Sequence, residues 1–277
     1  MTVCIAALCQ DSGQAHAVIA ADRMVTLGGF IEFEHTVPKM TAASSVAVAM
    51  VAGDALVGTK IAMDVAETVA GTDPPVSDIA QGLAARYEAD RRVRLVQQIL
   101  MPRGLDLASF YGSHQALNAN IVAMVDNQMQ QFNLGVEILL AGVDRTGAHI
   151  YTVTNPGPPE NLHDAIGYAA IGSGAIHALQ ALIGFRHSAA AEYHETVFRA
   201  YAAKRRAEVA PGVGLDTDMA VISPTGIHEL TARELTQLRE IYEEFAVSTD
   251  KELRKRLGSF RLGDETADRS ETDGKSD

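Results

Sequence analysis

Two short, almost wholly apolar runs, residues 3–9 and 15–21, stand either side of Asp11-Ser12-Gly13. Runs of this length and β-compatible composition, joined through a tight turn, predict a buried hairpin and commit the start of the chain to sheet. Phe30-Ile31-Glu32-Phe33-Glu34 alternates as a strand after Gly28-Gly29, and residues 45–52 form another apolar strand that ends at Gly53. Helical spacing then takes over across 55–69. Ser77 is the expected N-cap of a long helix through residue 100, which Pro102 and Gly104 end, and 115–131 reads as a further helix, while 105–113 fits no simple pattern. Strands return at 136–142 and 149–154, joined by Asp144-Arg145-Thr146-Gly147, and again at 166–171. Helices are expected over 174–183 and 189–206, then a hairpin of 219–223 with 227–230, then a final amphipathic helix capped by Thr231 and running to about residue 245. Strands, helices, strands, helices, strands is the order of a layered α+β fold and not of a βαβ wind. Nothing in the order suggests a repeat or a linker. Residues 1–262 therefore read as a single domain and 263–277 as a disordered acidic tail.

Composition narrows what such a fold can do. Apolar residues make up 47% of the 277, yet aromatics reach only 5% and Trp is absent, so the core is built from small aliphatics that suit closely spaced layers. The net charge of −12 argues against a nucleic acid ligand. The one basic cluster, Arg86, Arg91, Arg92 and Arg94, reads as a solvated helix face or a subunit contact. Cys4 and Cys9 fall on opposite faces of one strand, which predicts no disulfide and a reducing compartment. No Lys or Arg precedes Arg23, and Gln10 and Asp11 interrupt the first apolar run, so no signal peptide is expected. No apolar run approaches the ~18 residues of a membrane span, and the expected location is the cytoplasm, away from the membrane.

Chemistry first appears at Thr2. Its small side chain permits removal of Met1, which would leave a hydroxyl and an α-amine on one residue. An α-amine titrates at about 7.7–8.0 and can serve as general base for its own hydroxyl near neutral pH, directly or through water. Taken alone, Met-Thr is an ordinary start, and the partners decide its meaning. Asp22 closes Val18-Ile19-Ala20-Ala21-Asp22-Arg23 and so sits at a strand end; by itself it is a turn aspartate. Lys39 lies in Val37-Pro38-Lys39-Met40, ahead of a strand; by itself it is a lysine that blunts a sheet edge. Brought together beside Thr2, the carboxylate would orient the ammonium, and the ammonium would favour the alkoxide and a deprotonated α-amine. Gly53 would let a backbone N–H approach a developing oxyanion.

The ordered set Met-Thr-Val-Cys-Ile-Ala, Ala-Ala-Asp-Arg, Pro-Lys-Met, Ala-Gly-Asp-Ala and Ile-Gly-Ser-Gly, the last followed by Ala178-Leu179, resembles a proteasome β-type subunit of the N-terminal nucleophile hydrolases. The resemblance spans roughly residues 2–228. It implies a four-layer αββα sandwich, a threonine-type peptidase acting on peptide or protein substrates, and no metal or organic cofactor. It further implies Thr2 as nucleophile, Asp22 and Lys39 as its charge pair, Gly53 as the oxyanion N–H and Ser173 as a hydroxyl supporting the α-amine. Glu208 stands where the family carries an aspartate, Pro211 where it carries a serine, and Met24 where it carries an arginine. The helical region around 91–117 is longer than in ordinary β-subunits. Without a propeptide ahead of Thr2, the chain is most similar in style to the bacterial proteasome-related peptidases, including the HslV and Anbu types. The family also implies a homo-oligomer, ring or helical; a regulatory ATPase partner is unknown and no residue here points to one.

Pro211 and Met24 motivate a second expectation, a catalytically idle subunit kept for assembly or binding, and the same chemistry would serve a small-molecule amidase. Other sites are weaker. His187 and His194, seven apart on an expected helix, lack a third ligand and read as surface histidines. Gly172-Ser173-Gly174 lacks the Gly-x-Ser-x-Gly of a nucleophile elbow and the Lys-Ser or Lys-Thr of a phosphate loop. Cys4 has no separate base and reads as core.

Overall fold

A computed structural model describes residues 2–27, 31–35, 38–113, 115–161 and 163–260. The acidic tail expected over 263–277 lies outside them, as do Gly28, Gly29 and Phe30. The chain divides into two compact units, Met1–Leu235 and Thr236–Asp277.

The first unit is a mixed α+β structure whose sheets are antiparallel. The expected hairpin is β1 (Cys4–Asp11) and β2 (Gln14–Asp22), turning at Ser12 and Gly13, both with positive φ. A short ribbon follows, β3 (Met24–Leu27) with β4 (Ile31–Glu34), and then β5 (Met40–Ser44) and β6 (Ala47–Gly53). The expected strand over 45–52 is thus one arm of a hairpin that turns at residues 44–46. Helices α1 (Ala55–Val69) and α2 (Val76–Leu95) come next; α2 passes into a π-helical turn at Val96–Leu100 and a 3-10 turn at Met101–Arg103, and Gly104 ends it in the left-handed conformation. Helices α3 (Leu107–Ser113) and α4 (Ala119–Gln130) lead to β7 (Val136–Asp144), β8 (Gly147–Val153) and the short β9 (Pro159–Glu160). Residues 166–171, expected as one strand, are divided between α5 (His163–Ile166) and β10 (Tyr168–Ile171). Then come α6 (Ala175–Gly184), α7 (Tyr193–Ala207), β11 (Thr217–Ser223) and β12 (Gly226–Glu229); α8 (Ala232–Leu257) begins at the end of this unit, and its residues 236–257 belong to the second.

Two five-stranded sheets result, ordered β10-β1-β2-β11-β12 and β5-β6-β7-β8-β9. The period of two explains how they pack. Cys4, Ala6 and Leu8 of β1 and Ala17, Ile19 and Ala21 of β2 share one buried core with Val48 and Met50 of β6 and Leu139, Ala141 and Val143 of β7. The opposite face of the second sheet, through Ala49, Val51, Ile138 and Leu140, is covered by Val57, Ile61 and Val65 of α1 and Val76, Ile79 and Leu83 of α2. Helix α7 lies against β1 and β2, and α6 against α7. Leu95, Leu100, Phe110, Val125 and Met129 form a separate cluster where α2, α3 and α4 meet.

The start of α2 is capped by a tertiary contact. Pro75, not Ser77, precedes α2, and the first N–H of that helix, at buried Val76, donates to Asp144 Oδ2 at 2.9 Å. At the same corner His149 Nδ1 meets Asp164 Oδ2 at 2.7 Å and its Nε2 meets Asp144 Oδ1 at 3.3 Å. The hydrogen bond to Asp164, helped by the charge of both carboxylates and opposed by burial, raises the His149 pKa above its ordinary value. A raised folded pKa gives a stabilisation that is complete below the unfolded value of about 6.5 and is lost as pH rises through the folded one. The melting temperature of the protein minus that of His149→Gln is accordingly expected to be largest below pH 6.5 and to shrink above it. A difference independent of pH would contradict this ion-pair role.

No helix among the described residues is long and apolar enough to cross a membrane.

Candidate active site

The ladder of the first sheet assembles one end of this site. Cys4 pairs with Ala21 on one side and with Ile171 on the other. The residues just beyond these three, Thr2 and Val3, Asp22, and Gly172 with Ser173, therefore emerge together at the same sheet end. Thr2 follows the alternation of Cys4 and Ala6, so its side chain faces the second sheet. That sheet supplies Lys39, immediately before β5, whose carbonyl accepts the Val51 N–H at 3.4 Å, and Gly53, the last residue of β6.

Around Thr2 the contacts are dense. Its side-chain Oγ1 donates to Asp22 Oδ1 and accepts from Lys39 Nζ, and Lys39 Nζ is itself 2.9 Å from Asp22 Oδ1. The Thr2 nitrogen donates to Ser173 Oγ at 3.2 Å, while the Thr2 carbonyl accepts from Gly174 N at 3.1 Å and from the Ser173 hydroxyl at 3.3 Å. Thr2 and Asp22 are buried and the Lys39 side chain is 12% exposed. Four of the six residues expected at the site, Thr2, Asp22, Lys39 and Ser173, thus meet directly, and Gly53 shares their cleft.

Asp22 is the most fully bonded group in the site. Besides Lys39 and Thr2 it accepts from Val3 N at 2.8 Å, Met24 N at 2.9 Å and Gly214 N at 3.0 Å. Burial alone would raise its pKa; the Lys39 charge, the Thr2 hydroxyl and the N–H groups of Gly214 and Val3 outweigh it and hold the carboxyl below the ordinary carboxylate range. Met24 serves through its backbone N–H, so the identity of its side chain does not enter this contact. Cys4, which shares the Thr2 face, hydrogen-bonds Val51 O at 3.6 Å, and burial pushes its pKa up to about 12 despite Lys39. It is a protonated core thiol and no second nucleophile. Cys9 is likewise free and buried.

The cleft has a volume of about 590 Å³ and is lined by Thr2, Gly53, Gly135, Glu137, Gly172 and Ser173 among others. That is within the range of about 300–1,000 Å³ typical of ligand sites. Two of its glycines are obligatory. Gly53 has φ +92°, and a Cβ there would fall on the Gly135 carbonyl oxygen. Gly172 has φ +88°, and a Cβ there would strike the backbone of Thr2. The Gly172 N–H is fixed by Glu137 Oε2 at 2.8 Å.

Glu208 stands apart from Thr2. Its carboxylate is bound by Lys204 Nζ at 2.7 Å and Arg205 at 3.0 Å. Lys204, which sequence reasoning passed over, is fully buried, and its Nζ also donates to the carbonyls of Gly214 at 2.9 Å and Leu215 at 2.7 Å. Burial lowers the Lys204 pKa against the pull of Glu208. The lysine pins the turn whose Gly214 N–H reaches Asp22, so Glu208 connects to the site through Lys204 and that turn. Glu34 holds the same turn from outside, accepting the N–H groups of Leu215 and Asp216. Pro211 is exposed on the surface. His187 lies in a loop with Nε2 3.1 Å from Leu8 O, and His194 sits on α7 beside Glu192, so the two do not form a shared site.

No family model matches this chain, and no curated protein matches it.

Proposed function

We propose that this chain is a threonine-type peptidase of the N-terminal nucleophile kind, with a proteasome-like four-layer αββα sandwich as its scaffold and peptide or protein amides as its substrates. The observation that carries this reading is the convergence of Lys39 and Asp22 on the Thr2 hydroxyl and of Ser173 on the Thr2 nitrogen, beside a cleft. The two sheets sharing a core, with helices against their outer faces, support the scaffold.

Removal of Met1 converts the Thr2 nitrogen from an amide to an amine. Asp22, held below the ordinary carboxylate range by Lys39, the Thr2 hydroxyl and the N–H groups of Gly214 and Val3, is a poor proton acceptor, whereas an unperturbed α-amine titrates at about 7.7–8.0 and is the base of choice near neutral pH. Thr2 Oγ attacks the substrate carbonyl carbon as its proton passes to the amine, through water. The carbonyl oxygen takes the negative charge, which the Gly53 N–H stabilises, and Lys39 favours the nucleophile's anionic form. Collapse of the tetrahedral intermediate breaks the C–N bond, and the protonated α-amine returns its proton to the departing nitrogen. The resulting ester is hydrolysed by a water that the same amine deprotonates, which releases the acid and restores Thr2. Ser173 orients the amine throughout.

The test compares two forms of the same protein. Material whose intact mass shows Thr2 at the N-terminus is expected to cleave a short fluorogenic peptide amide, and material retaining Met1 is expected to be inert, because an amide nitrogen is no base. Equal turnover in the two forms would sink the mechanism.

A further inference from the structure

One carboxylate of the Thr2 cleft takes no part in the chemistry described above. Glu137, half-buried on β7, lines the cleft. It pairs with Ala52, the residue before Gly53, so its backbone lies one strand spacing, about 4.8 Å, from the strand end that carries the proposed oxyanion N–H. It alternates in step with Leu139 and Ala141, which lie in the core between the two sheets, so its side chain points toward the sheet that carries Thr2. There its Oε2 accepts the Gly172 N–H at 2.8 Å, while among the described residues Oε1 has no hydrogen-bond partner and Glu137 enters no ion pair. Two cations of this region are committed elsewhere: Lys39 to Thr2 and Asp22, and Arg91 to Asn155 and the Phe132 carbonyl. Beside Glu137 the wall offers donors. Asn155 Oδ1 accepts from Arg91 Nε at 2.9 Å and Asn133 Oδ1 from the Gly135 N–H at 2.8 Å. Both partners can only donate, which fixes each amide oxygen in place and leaves each Nδ2 for a ligand.

We propose that Glu137 is a specificity residue that selects a cationic side chain, lysine or arginine, on the substrate residue whose carbonyl Thr2 attacks. A half-buried carboxylate with no cation of its own is completed by a ligand that brings one, and a charge-assisted bond is stronger than a neutral one. Gly53 fixes where the attacked carbonyl sits. Glu137 lies across the ladder from the neighbour of Gly53, a gap that the flexible four-carbon stem of lysine bridges. The amides of Asn133 and Asn155 donate to main-chain carbonyls, which every peptide presents, so the carboxylate alone discriminates by charge. Supporting Gly172 requires no charge, because a neutral amide oxygen also accepts an N–H. The two roles of Glu137 are therefore separable by substitution. The placing of the attacked carbonyl rests on the reading of Thr2 given above; the cation site itself does not.

The test measures binding and turnover separately, with N-acetylated peptide amides that carry lysine, norleucine or glutamate ahead of the scissile bond. Lysine and norleucine differ there chiefly in charge, and acetylation removes the competing terminal amine. On Thr2→Ala protein, which does not consume them, calorimetry is expected to show the lysine peptide bound at least about tenfold more tightly than the norleucine peptide, and the glutamate peptide most weakly. Adding Glu137→Gln, which keeps an acceptor for Gly172, should bring the lysine-to-norleucine ratio close to one. Adding Glu137→Lys instead should turn the order round in favour of glutamate. The same ratios are expected in kcat/KM for fluorogenic forms of the peptides on protein with Thr2 exposed. Equal binding of the lysine and norleucine peptides, no binding of the lysine peptide, or Glu137→Gln weakening both by one factor would each overturn the proposal and leave Glu137 a support for Gly172. Turnover without charge preference would reject the role of Glu137 and uphold that of Thr2. Charge-selective binding with no turnover of any peptide would support Glu137 and count against the chemistry of Thr2.

Discussion

Thr2→Ala is expected to abolish turnover while leaving the fold in place. Loss of an essential nucleophile costs on the order of 10⁶-fold in rate. Alanine is small enough for Met1 still to be removed, so the α-amine remains and only the hydroxyl is lost. The site tolerates that loss structurally: Asp22 keeps Lys39 and the N–H groups of Val3, Met24 and Gly214. Two hydrogen bonds to charged groups are removed, one to Asp22 and one from Lys39, each at a cost of about 1.5–3 kcal/mol. Thr2→Ser, which retains both hydroxyl and amine, should keep measurable activity. Peptide-amide turnover read beside a thermal melt checks both halves; a folded and fully active Thr2→Ala would remove Thr2 from the chemistry.

Lys204→Met is expected to produce the largest loss of stability. The ammonium is fully buried and divides its donors among Glu208 and the carbonyls of Gly214 and Leu215. Removing one partner of a buried pair costs roughly 3–5 kcal/mol, because the other is left uncompensated. In a domain of this size that is on the order of 10 °C in melting temperature. Arg205 still binds Glu208, which limits the damage on the carboxylate side. Lys204→Met/Glu208→Gln should recover part of the loss, since no buried charge is then stranded. Turnover well below the melting point should also fall in Lys204→Met, as the Gly214 N–H is no longer held on Asp22. A melting temperature within 2 °C of the parent, a margin of about 1 kcal/mol by the same scaling, would show that Lys204 is not structural.

Much of the fold can be read from the chain because its strands are short apolar runs punctuated by turns. The β1–β2 hairpin follows from two such runs and Asp11-Ser12-Gly13, and the places of Asp22 and Gly53 follow from where runs stop. Lys39 and Thr2 are recognisable only as members of an ordered set. What escapes the sequence has tertiary causes in some places and local ones in others. Helix α2 starts one residue before Ser77 because Asp144, far along the chain, takes the Val76 N–H. Helix α7 starts at Tyr193 and not at the alanines of 189–191, because Glu192 caps it with a bond from the Glu195 N–H at 3.0 Å. Helix α8 runs to Leu257, twelve residues past the expected end, supported by ion pairs one turn apart. Lys204 hides in a run of basic residues that suggests a wet face; buried Ala200, Tyr201 and Ala207, three or four positions away, mark its face as the inner one. The backbone donors to Asp22 from Met24 and Gly214 carry no side-chain signature and belong to the geometry alone.

The central claim is that the hydroxyl and the α-amine of Thr2 act together. A peptide epoxyketone closes its ring only on a hydroxyl and an α-amine of the same N-terminal residue, so the intact mass before and after treatment, with the adduct mapped by fragmentation, tests it most directly. The expected result is stoichiometric addition on Thr2 in protein that has lost Met1, absent in Thr2→Ala. Protein that exposes Thr2, cleaves a peptide amide and yet carries the adduct elsewhere, or nowhere, would contradict it.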